Sequence, residues 1–560
     1  MGFLSMDLLL ISPPVANVGQ AAASISTLAA YLRSRGWSVG QWDASIDAFH
    51  HFHSASHLAG CRDRLAAEGA SASIVKAASE AAAGIEQAKA SLQKFETVAD
   101  TAAMERAFGV LETAGNVLSA SGRAGTEHSY RAFDISGAWR DWDSLVAAID
   151  DPAANPYFGW ADEQAIPRIL AASPKAVGIS LTYLSQILPG FTLIRRLRKL
   201  APQIALGVGG GYLTALGEKA REIPASVLPV DSLVLHDGEA ALDEWLSKIA
   251  SDRPRHGGRV LPPDASCLDL AAVPSPCWIA DGLDLSRYLV PRYAIPVPLT
   301  RGCHWGRCRY CNISSQTSSS YRVRPFDLAI RDIQAAIAET GSNWFDLPTD
   351  SFRPDHLHAF AKAIVEAHLD LRWAAEVLLH PQLTTEVIAD LAKSGCVCLR
   401  FGMESASAEV LTAMNKPRPA GLAERILRDC RAAGIRTSTM LIVGFPTETQ
   451  RQRNETFDFL ADHHDVIDFV ALHEFNLVPG SQMAADPASF GLIALPSQAV
   501  LQPALPCRNA NGVGLDADQV HETADAMRDA LRDFYPHLGK PWAVAIGGWM
   551  TFPWCCRGRP

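Results

Sequence analysis

The sequence predicts an α/β protein in which a doubly wound (Rossmann-like) domain precedes a partial (β/α)6 barrel of the TIM type. Two series of strand-like apolar runs alternate with helical patterns, and a stretch rich in Pro, Gly and Arg at Asp252 to Asp264 separates the two series. We therefore expect a first domain at 1–255 with a helical insertion at about 52–164, a linker at 256–290, a barrel at 291–485 and a C-terminal region at 486–560.

The composition excludes several classes of protein. The 560-residue chain has 48% hydrophobic residues, which is typical of globular proteins. Its formal net charge is −10 without a long Lys/Arg run, so nucleic acid is not expected as a partner. Twelve dispersed cysteines do not form a secreted disulfide framework. Met1 to Pro14 resembles a first strand more than a signal peptide, and no apolar run is long enough to span a bilayer. We therefore expect a protein of the reducing cytoplasm that does not associate with membranes.

The first domain begins with a buried-strand run at Met6 to Ser12. Four more strands are expected, at Trp37 to Asp43, Ala176 to Leu181, Ile204 to Val208 and Ser232 to Leu235. Doubly wound sheets bind ligands at the carboxyl ends of their strands. Gly209, Gly210 and Gly211 follow the fourth strand, where backbone without side chains lets a large flat ligand approach closely; the alternative is a tight strand-to-helix turn.

The insertion between the second and third strands is rich in alanine. Apolar residues near helical spacing predict one or two long amphipathic helices from Cys61 to Arg123. Four histidines lie near its start, at His50, His51, His53 and His57. We interpret them as a solvated His-rich turn in preference to a metal site.

The barrel is predicted from six strand candidates separated by helical patterns. The candidates are Ile295 to Thr300, Trp344 to Leu347, Leu371 to Val377, Val397 to Phe401, Thr437 to Val443 and Phe469 to Phe475. Active sites in such barrels lie at the carboxyl ends of the strands. In the C-terminal region, Asp516 to Tyr535 is predicted helical, and we expect this region to cover the open side of the barrel; Cys555 and Cys556 are interpreted as incidental thiols.

A loop with three cysteines follows the first barrel strand. Cys303, Cys308 and Cys311 have four and then two residues between them. Three thiolates can hold three corners of a cubane iron–sulfur cluster, and one iron would stay open because the next cysteine is Cys396. A zinc knuckle would need a fourth Cys or His at short spacing, and His304 is poorly placed beside Cys303. The residues favour a cluster over zinc.

With Tyr310 just before the third cysteine, this loop resembles the cluster loop of the radical S-adenosylmethionine (SAM) enzymes. The usual spacing in that family is three and then two residues, so this chain carries a variant. The resemblance implies that Cys303, Cys308 and Cys311 hold a [4Fe–4S] cluster whose open iron chelates SAM, and that reduction cleaves SAM to a 5′-deoxyadenosyl radical. It also implies an electron donor such as flavodoxin or ferredoxin.

Three later segments resemble the SAM-binding pattern of the same family, at Asp346 to Asp350, Gly402 to Ser407 and Leu441 to Thr449. Each follows or ends a predicted barrel strand. The resemblance implies SAM contacts from Tyr310, Asp350, Glu404, Ser405, Gly444 and Pro446. Glu404 would accept hydrogen bonds from the ribose, and the Gly444-Phe445-Pro446 turn would approach the adenine. The ordinary alternatives are a helix cap at Glu404 and a structural turn at Gly444.

Residues 1–255 resemble the cobalamin-binding domain that precedes the barrel in one large subclass of these enzymes. The resemblance implies cobalamin contacts from Pro13, Ser180, Thr182, Gly209, Gly210, Gly211, Thr214, Gly238 and Glu239. No Asp-x-His-x-x-Gly string occurs in the chain, so cobalamin should lack a histidine from that motif on its lower face. The alternative is a domain that keeps the fold without the cofactor.

Together these resemblances imply a cobalamin-dependent radical SAM enzyme. We favour methyl transfer to an unactivated carbon of a peptide or small natural-product substrate. A second interpretation keeps the cofactors but has the radical drive a cyclisation or rearrangement. A third is a non-catalytic iron–sulfur or corrinoid binding protein, against which the SAM-type segments argue, since an electron carrier needs no nucleoside pocket.

Overall fold

The computed structural model describes residues 6–251, 268–278, 283–316, 320–416, 418–496, 499–502, 504–510 and 512–540. They belong to two compact units, Met1–Tyr293 with Gln498–Gln502, and Ala294–Ser497 with Pro503–Pro560. The predicted linker stretch at 252–264 and the thiols Cys555 and Cys556 lie outside the described residues. The domain limits expected from the sequence stay predictions.

The described residues of the first unit form seven strands: β1 (Leu8–Ser12), β2 (Val39–Asp43), β3 (Thr126–His128), β4 (Phe133–Ile135), β5 (Ala176–Ser180), β6 (Ala205–Gly209) and β7 (Ser232–Leu233). Five of them form a parallel sheet in the order β2-β1-β5-β6-β7, while β3 and β4 form an antiparallel hairpin. In register, Leu10 of β1 lies beside Gln41 and Gly178 on its two neighbours. The order reverses between β1 and β5, so the predicted doubly wound sheet is confirmed.

Thirteen α-helices accompany these strands in the described part of the first unit: α1 (Ala23–Ser34), α2 (Ala44–Phe52), α3 (Ala55–Ala67), α4 (Ala72–Leu92), α5 (Phe95–Ala99), α6 (Thr101–Ala120), α7 (Trp142–Asp150), α8 (Pro156–Trp160), α9 (Ile166–Ala172), α10 (Ile187–Leu200), α11 (Gly211–Leu216), α12 (Glu218–Glu222) and α13 (Glu239–Ala250). Leu8 and Leu10 of β1 pack with Ile25 of α1 and Trp245 of α13 in one buried cluster. Burial of these large apolar side chains fixes both helices on the sheet.

The insertion differs from its prediction in two respects. The two long helices are present as α4 and α6, but α3, α5 and the β3–β4 hairpin were not expected. The solvated His-rich turn is wrong for His53, which is only 1% exposed and stacks on Phe49 with ring centroids 4.6 Å apart. His53 directly follows α2, and its imidazole is buried against Phe49 of that helix.

The second unit contains ten described strands: β8 (Ile295–Pro296), β9 (Thr300–Arg301), β10 (Arg322–Val323), β11 (Trp344–Phe352), β12 (Arg372–Val377), β13 (Cys396–Glu404), β14 (Arg436–Val443), β15 (Phe469–Glu474), β16 (Leu492–Ala494) and β17 (Cys507–Asn509). Six form a parallel sheet in the order β15-β14-β13-β12-β11-β8. The partial barrel is thereby confirmed. The single strand expected at Ile295 to Thr300 is wrong, because it divides into β8 and β9, and β9 pairs antiparallel with β10.

The α-helices in the described part of the second unit are α14 (Ile313–Gln316), α15 (Phe326–Thr340), α16 (Pro354–Glu366), α17 (Thr385–Lys393), α18 (Ala408–Ala413), α19 (Leu422–Ala432), α20 (Gln450–Asp462), α21 (Gln482–Ala485) and α22 (Ala517–Ala530). The last of these lies beside β15, where His521 contacts Glu474 at 2.9 Å and Arg528 donates to the Leu472 carbonyl oxygen at 3.2 Å. The C-terminal region thus packs against the edge strand of the open sheet.

No helix among the described residues has both the length and the apolar character needed to cross a bilayer.

Candidate active site

The cysteine loop begins at a glycine that the structure requires. Gly302 follows β9 with φ +82°, a region that L-residues other than glycine rarely adopt. Its N–H donates to Oδ2 of Asp350 at 3.1 Å. A Cβ at this position would lie 2.6 Å from the carbonyl oxygen of Ser320, which is shorter than a non-bonded contact between carbon and oxygen allows. The start of the loop is therefore fixed to the end of β11, which carries Asp350, one of the predicted SAM contacts.

Further along, the loop backbone is bonded to two helices. The Arg309 N–H donates to the Met414 carbonyl oxygen at 3.0 Å, and the Met483 N–H donates to the Arg309 carbonyl oxygen at 3.0 Å. The Trp305 indole N–H donates to the Asn415 carbonyl oxygen at 2.9 Å. These bonds attach the loop to the end of α18 and the start of α21. The three cysteines are consequently carried by backbone with little freedom.

Cys303, Cys308 and Cys311 are free and partly buried. Burial raises the pKa of the Cys308 thiol to about 12 and also raises the pKa of Cys311. Among the described residues, no group of three or more His, Cys, Asp or Glu side chains is arranged to hold a single metal ion. Soft thiol donors, three in number on one loop, fit the corners of an iron–sulfur cluster, and binding would release their protons.

Glu404 lies beside this loop at the end of β13. It has φ +62°, a conformation that costs a non-glycine residue on the order of 1 kcal/mol and often marks functional sites. Its Oε1 accepts a hydrogen bond from Lys416 Nζ at 2.7 Å. Burial, together with the nearby Glu404 carboxylate and its hydrogen bond, raises the pKa of Tyr310 well above its usual value. The structure thus brings Tyr310 and Glu404 together, with Lys416 as an unforeseen third member.

Two of the predicted SAM contacts take part in local structure. The buried Ser405 hydroxyl accepts from the Ser407 N–H at 3.1 Å and lies 3.1 Å from Thr456 Oγ1, which orders the start of α18. The Pro446 carbonyl oxygen packs against Gly514, where a Cβ would lie 2.2 Å from it. A SAM contact from either residue stays a prediction.

The Gly444 turn is shaped by a residue that the sequence analysis did not single out. Gly444 has φ +81°, and its N–H donates to Oε2 of Glu448 at 3.0 Å. Burial raises the pKa of Glu448 to about 7, against the opposing effects of the Gly444 N–H and Arg453. A Cβ on Gly444 would lie 2.4 Å from Val520. The carboxylate four positions after Gly444, with Phe445 to Thr447 between them, is the signal that could have identified the turn.

The inner wall of the barrel carries a charged group in which Arg400 and Glu376 were not singled out from the sequence. Arg400 of β13 reaches across β12, and its Nη2 donates to Oδ1 of Asp346 on β11 at 2.7 Å. Its Nε lies 3.4 Å from Oε1 of Glu376 on β12. Because a side chain on β13 can contact β11 only across the concave face of the sheet, all three groups line the barrel interior.

In the first unit, several predicted cobalamin contacts meet at the point where the strand order reverses. Gln186 joins two of them, since its Nε2 donates to the Pro13 carbonyl oxygen at 2.7 Å and its Oε1 accepts from the Thr182 N–H at 2.8 Å. The Ser180 hydroxyl lies 3.1 Å from that of Ser24. Ligands of doubly wound sheets bind at such a point.

The glycine triplet combines structural and open positions. Gly210 has φ +111°, and a Cβ there would lie 2.2 Å from the Leu181 carbonyl oxygen. A Cβ on Gly209 would lie 2.8 Å from the Val234 carbonyl oxygen. Packing therefore requires these two glycines. At Gly211, in contrast, no described atom lies within 4 Å of the position that a Cβ would take, so this turn leaves space for a flat ligand.

The remaining predicted contacts lie farther along the same edge. Thr214 is buried in α11 and accepts a hydrogen bond from the His236 N–H at 3.0 Å. Gly238 precedes α13, and the buried Glu239 is the first residue of that helix. The open position at Gly211 lies on the edge of the sheet where a ligand is expected, whereas Thr214 and Glu239 are buried within the fold.

Residues 297–460 match the sequence model of the radical SAM superfamily. The matched segment contains the cysteine loop and β11 to β14, so this part of the chain is a radical SAM domain. Domains of this superfamily bind a [4Fe–4S] cluster and SAM, in agreement with these two predicted cofactors.

The chain is similar to an uncharacterized methyltransferase, PH0819, of Pyrococcus horikoshii, with 24% identity over 51% of this chain and 64% of that protein. It thus spans less than two thirds of that relative. The structure resembles that of TsrM from Kitasatospora setae, a radical SAM methyltransferase with cobalamin and a [4Fe–4S] cluster bound, with TM-score 0.62, 15% identity and coverage of 99% and 98% of the two chains.

A second solved structure has the same fold. The cobalamin-dependent SAM radical enzyme OxsB, with aqua-cobalamin bound, matches with TM-score 0.57 and 12% identity over 95% of this chain and 67% of OxsB. At these identities the two likenesses establish the fold of both units. The predicted order of a doubly wound domain followed by a radical SAM barrel is confirmed.

Proposed function

We propose that this protein is a cobalamin-dependent radical SAM methyltransferase that methylates an unactivated carbon. The observation that carries the proposal is the cysteine loop, in which Cys303, Cys308 and Cys311 lie on backbone fixed by Asp350 and α18 within a radical SAM domain. The presence of a doubly wound domain with an open strand edge at Gly211 supports the cobalamin part.

In this proposal Cys303, Cys308 and Cys311 hold the cluster. When bound, the cluster supplies the electron that cleaves SAM reductively, and cobalamin supplies a carrier for the methyl group. The chain contributes position and shielding. Asp350 keeps the start of the loop in place through the Gly302 N–H, and the loop contacts of Arg309 and Trp305 hold the cysteines at the carboxyl end of the sheet.

Glu404 is proposed as the acceptor for ribose hydroxyls. Lys416 orients this carboxylate through its hydrogen bond, and the Tyr310 hydroxyl donates to it from the cysteine loop. The Gly444 turn, closed by Glu448, would present backbone to the adenine without an intervening side chain.

Cobalamin is proposed to lie at the strand ends of the first unit, between Ser180, Thr182 and the open Gly211. Its lower face would lack a histidine from the Asp-x-His-x-x-Gly motif, which the chain does not contain. The substrate is proposed to be a small molecule or a peptide, with flavodoxin or ferredoxin as electron donor. A reducing cytoplasm suits the free thiols and an oxygen-sensitive cluster.

The test uses anaerobically reconstituted full-length protein supplied with cobalamin. Wild type should hold about four irons and about one cobalamin per chain, and Cys308→Ala should lose both the iron at this site and all SAM cleavage. With methyl-labelled SAM, 5′-deoxyadenosine and S-adenosylhomocysteine should form in about equal amounts and the label should enter the product. Retention of cleavage by Cys308→Ala would refute the ligand assignment. Unlabelled product with 5′-deoxyadenosine alone would support cyclisation or rearrangement.

A further inference from the structure

The part of the chain that carries the cysteines has an excess of positive charge. Residues 294–326 contain no Asp or Glu. The arginines of this segment are Arg301, Arg307, Arg309, Arg322 and Arg324. The whole chain has a formal net charge of −10, so the segment differs in sign from the rest of the protein. Two of its arginines directly flank Cys308, which places positive charge beside a proposed cluster ligand.

Those two arginines, Arg307 and Arg309, form no ion pair with a carboxylate of the described residues. The Arg307 guanidinium lies over the Trp305 ring, 5.5 Å from its centroid, and Arg309 Nη1 donates to a backbone carbonyl oxygen of α18 at 3.0 Å. In the same unit the buried Arg324 is paired with Asp332. A cation without a counter-charge keeps its field available to a charged molecule in solution.

The cysteine loop has an inner and an outer side. On the inner side the Tyr310 hydroxyl is bonded to Glu404 at the end of β13, and the Gly302 N–H is bonded to Asp350 at the end of β11. These contacts engage the two carboxylates with the loop but not with its arginines. On the outer side Arg307 is exposed. Since SAM is proposed to bind on the inner side, the outer side is open to a second molecule.

The exposed part of the loop is held by one residue beyond α18. Asn415 has φ +59°, and its Nδ2 donates to the Arg307 carbonyl oxygen at 2.9 Å. The carbonyl oxygen of Asn415 accepts from the Trp305 indole N–H at 2.9 Å. The four residues between Cys303 and Cys308 are therefore bonded at two points. Arg307 is thus carried by ordered backbone, which lowers the entropy lost when a partner binds.

From this arrangement we infer that the outer side of the cysteine loop is the docking surface of the electron donor, where Arg307 binds an acidic group of a one-electron carrier protein. One electron leaves the reduced carrier and enters the cluster beside Cys308, and no bond forms or breaks in this transfer. Charge complementarity selects a carrier with acidic residues around its redox centre. The inference rests on the proposed function, because it assigns the binding surface of the electron donor that this function requires.

The alternative role for Arg307 is to offset the negative charge of a bound cluster. Its exposure weakens this role, because water and salt screen an exposed charge. The same exposure favours docking, since a charge steers a partner only when it faces the solution. The two roles differ in one measurable respect, because only docking depends on a protein as the reductant.

The test first measures docking on anaerobically reconstituted full-length protein. The probe is a bacterial flavodoxin of acidic net charge, and its dissociation constant is measured by isothermal titration calorimetry. Arg307→Glu should raise this constant about tenfold at low salt, whereas Arg307→Lys should raise it about twofold or less. The wild-type constant should rise with salt concentration, and that of Arg307→Glu should change less.

Arg428→Glu is the matched control. Arg428 is exposed on α19, so the variant makes the same change of net charge in the same unit and should bind flavodoxin as wild type does. The rate of 5′-deoxyadenosine formation then tests electron delivery. With flavodoxin below saturation Arg307→Glu should be about tenfold slower than wild type. With photoreduced 5-deazaflavin, a small reductant, the two should be equal.

Four outcomes would overturn the inference: no measurable binding of flavodoxin by wild type, an unchanged dissociation constant in Arg307→Glu, an equal change in Arg428→Glu, or an equal loss of cleavage with both reductants. The last would show that Arg307 acts on the cluster itself. Iron content shows whether each variant keeps the cluster. A wild type that cleaves no SAM with either reductant would count against the proposed function, while the dissociation constants would still decide the docking surface.

Discussion

The N–H of Gly302 donates to Oδ2 of Asp350 at 3.1 Å, and this bond joins the first residue of the cysteine loop to the end of β11. The left-handed backbone of Gly302 aims the N–H at the carboxylate, and the space around it is closed by the Ser320 carbonyl oxygen. The position of Cys303 therefore depends on a residue 47 positions away, in the segment Asp346 to Asp350 that resembled a SAM-binding element.

Gly302→Ala should disrupt this arrangement. The left-handed φ costs an alanine about 1 kcal/mol, and the Cβ placed 2.6 Å from the Ser320 oxygen adds about 1–3 kcal/mol of overpacking. We expect reconstituted iron per chain to fall by more than half, measured by a colorimetric iron assay, with a lower apparent Tm.

Gly341→Ala is the matched control. Gly341 has φ +70° at the end of α15, but no described atom lies within 4 Å of the Cβ position. This variant should lower the apparent Tm through the φ cost alone and keep its iron. Equal iron loss in both variants would mean that general destabilisation, and not the start of the loop, accounts for the effect.

Local patterns in the sequence were sufficient for most strands and for the cysteine loop. β12 and β14, for example, begin within one residue of their predicted starts, because long apolar runs between helical patterns are unambiguous. The division of the first barrel strand into β8 and β9 was not predictable, since Val297 and Leu299 continue the apolar run. The residues between the two strands are set by tertiary contacts such as the Val297 N–H to the Asp346 carbonyl oxygen at 2.9 Å.

Side-chain partners across strands could not be predicted from spacing. Lys416 lies twelve residues after Glu404, and Arg400 contacts Asp346 only because the sheet curves. His53 is a further example, because its burial depends on packing against Phe49 and the β3–β4 hairpin. These contacts arise from the fold and have no local signature.

Removal of the buried cation on the barrel wall should be destabilising. Arg400→Met leaves the carboxylates of Asp346 and Glu376 without a counter-charge, and we expect the free energy of unfolding to fall by about 1–3 kcal/mol. This is less than the cost of breaking a fully buried pair, because both carboxylates are partly exposed. Urea unfolding followed by fluorescence measures the loss. Arg400→Met combined with Glu376→Gln should be more stable than Arg400→Met alone; a double variant that is less stable would show that the guanidinium acts by packing and not by charge.

Glu448 should make stability fall as the pH rises toward 7. Its pKa is about 7 in the folded protein against an ordinary value of 4.5, so the folded state binds more protons than the unfolded state between these values. Ionisation of the buried carboxyl then costs about 3 kcal/mol above pH 7. Glu448→Gln can still accept from the Gly444 N–H through its amide oxygen, so it should be more stable than wild type at pH 8 and similar at pH 4.5.

Thermal unfolding at the two pH values measures this, with the exposed Glu386→Gln as control. A difference between the two proteins that does not change with pH would contradict the assignment.

His53 should produce the opposite dependence. Burial lowers its pKa to about 3 in the folded protein from an ordinary 6.5, so the unfolded state binds more protons below pH 6.5, and stability is lost as the pH falls toward 3. Between pH 6.5 and pH 4 the loss amounts to about 3 kcal/mol. His53→Leu keeps an apolar side chain beside Phe49 and removes the titrating group, so it should flatten this part of the stability profile.

Hydrogen exchange of α2 and the β3–β4 hairpin, followed by mass spectrometry at pH 6.5 and at pH 5, reports the first unit separately from Glu448. Wild type should exchange faster at pH 5 after correction for the intrinsic rate, and His53→Leu should not. The exposed His464→Gln should behave as wild type. If His53→Leu keeps the full acid sensitivity, the other histidines of the insertion, and not His53, are responsible for it.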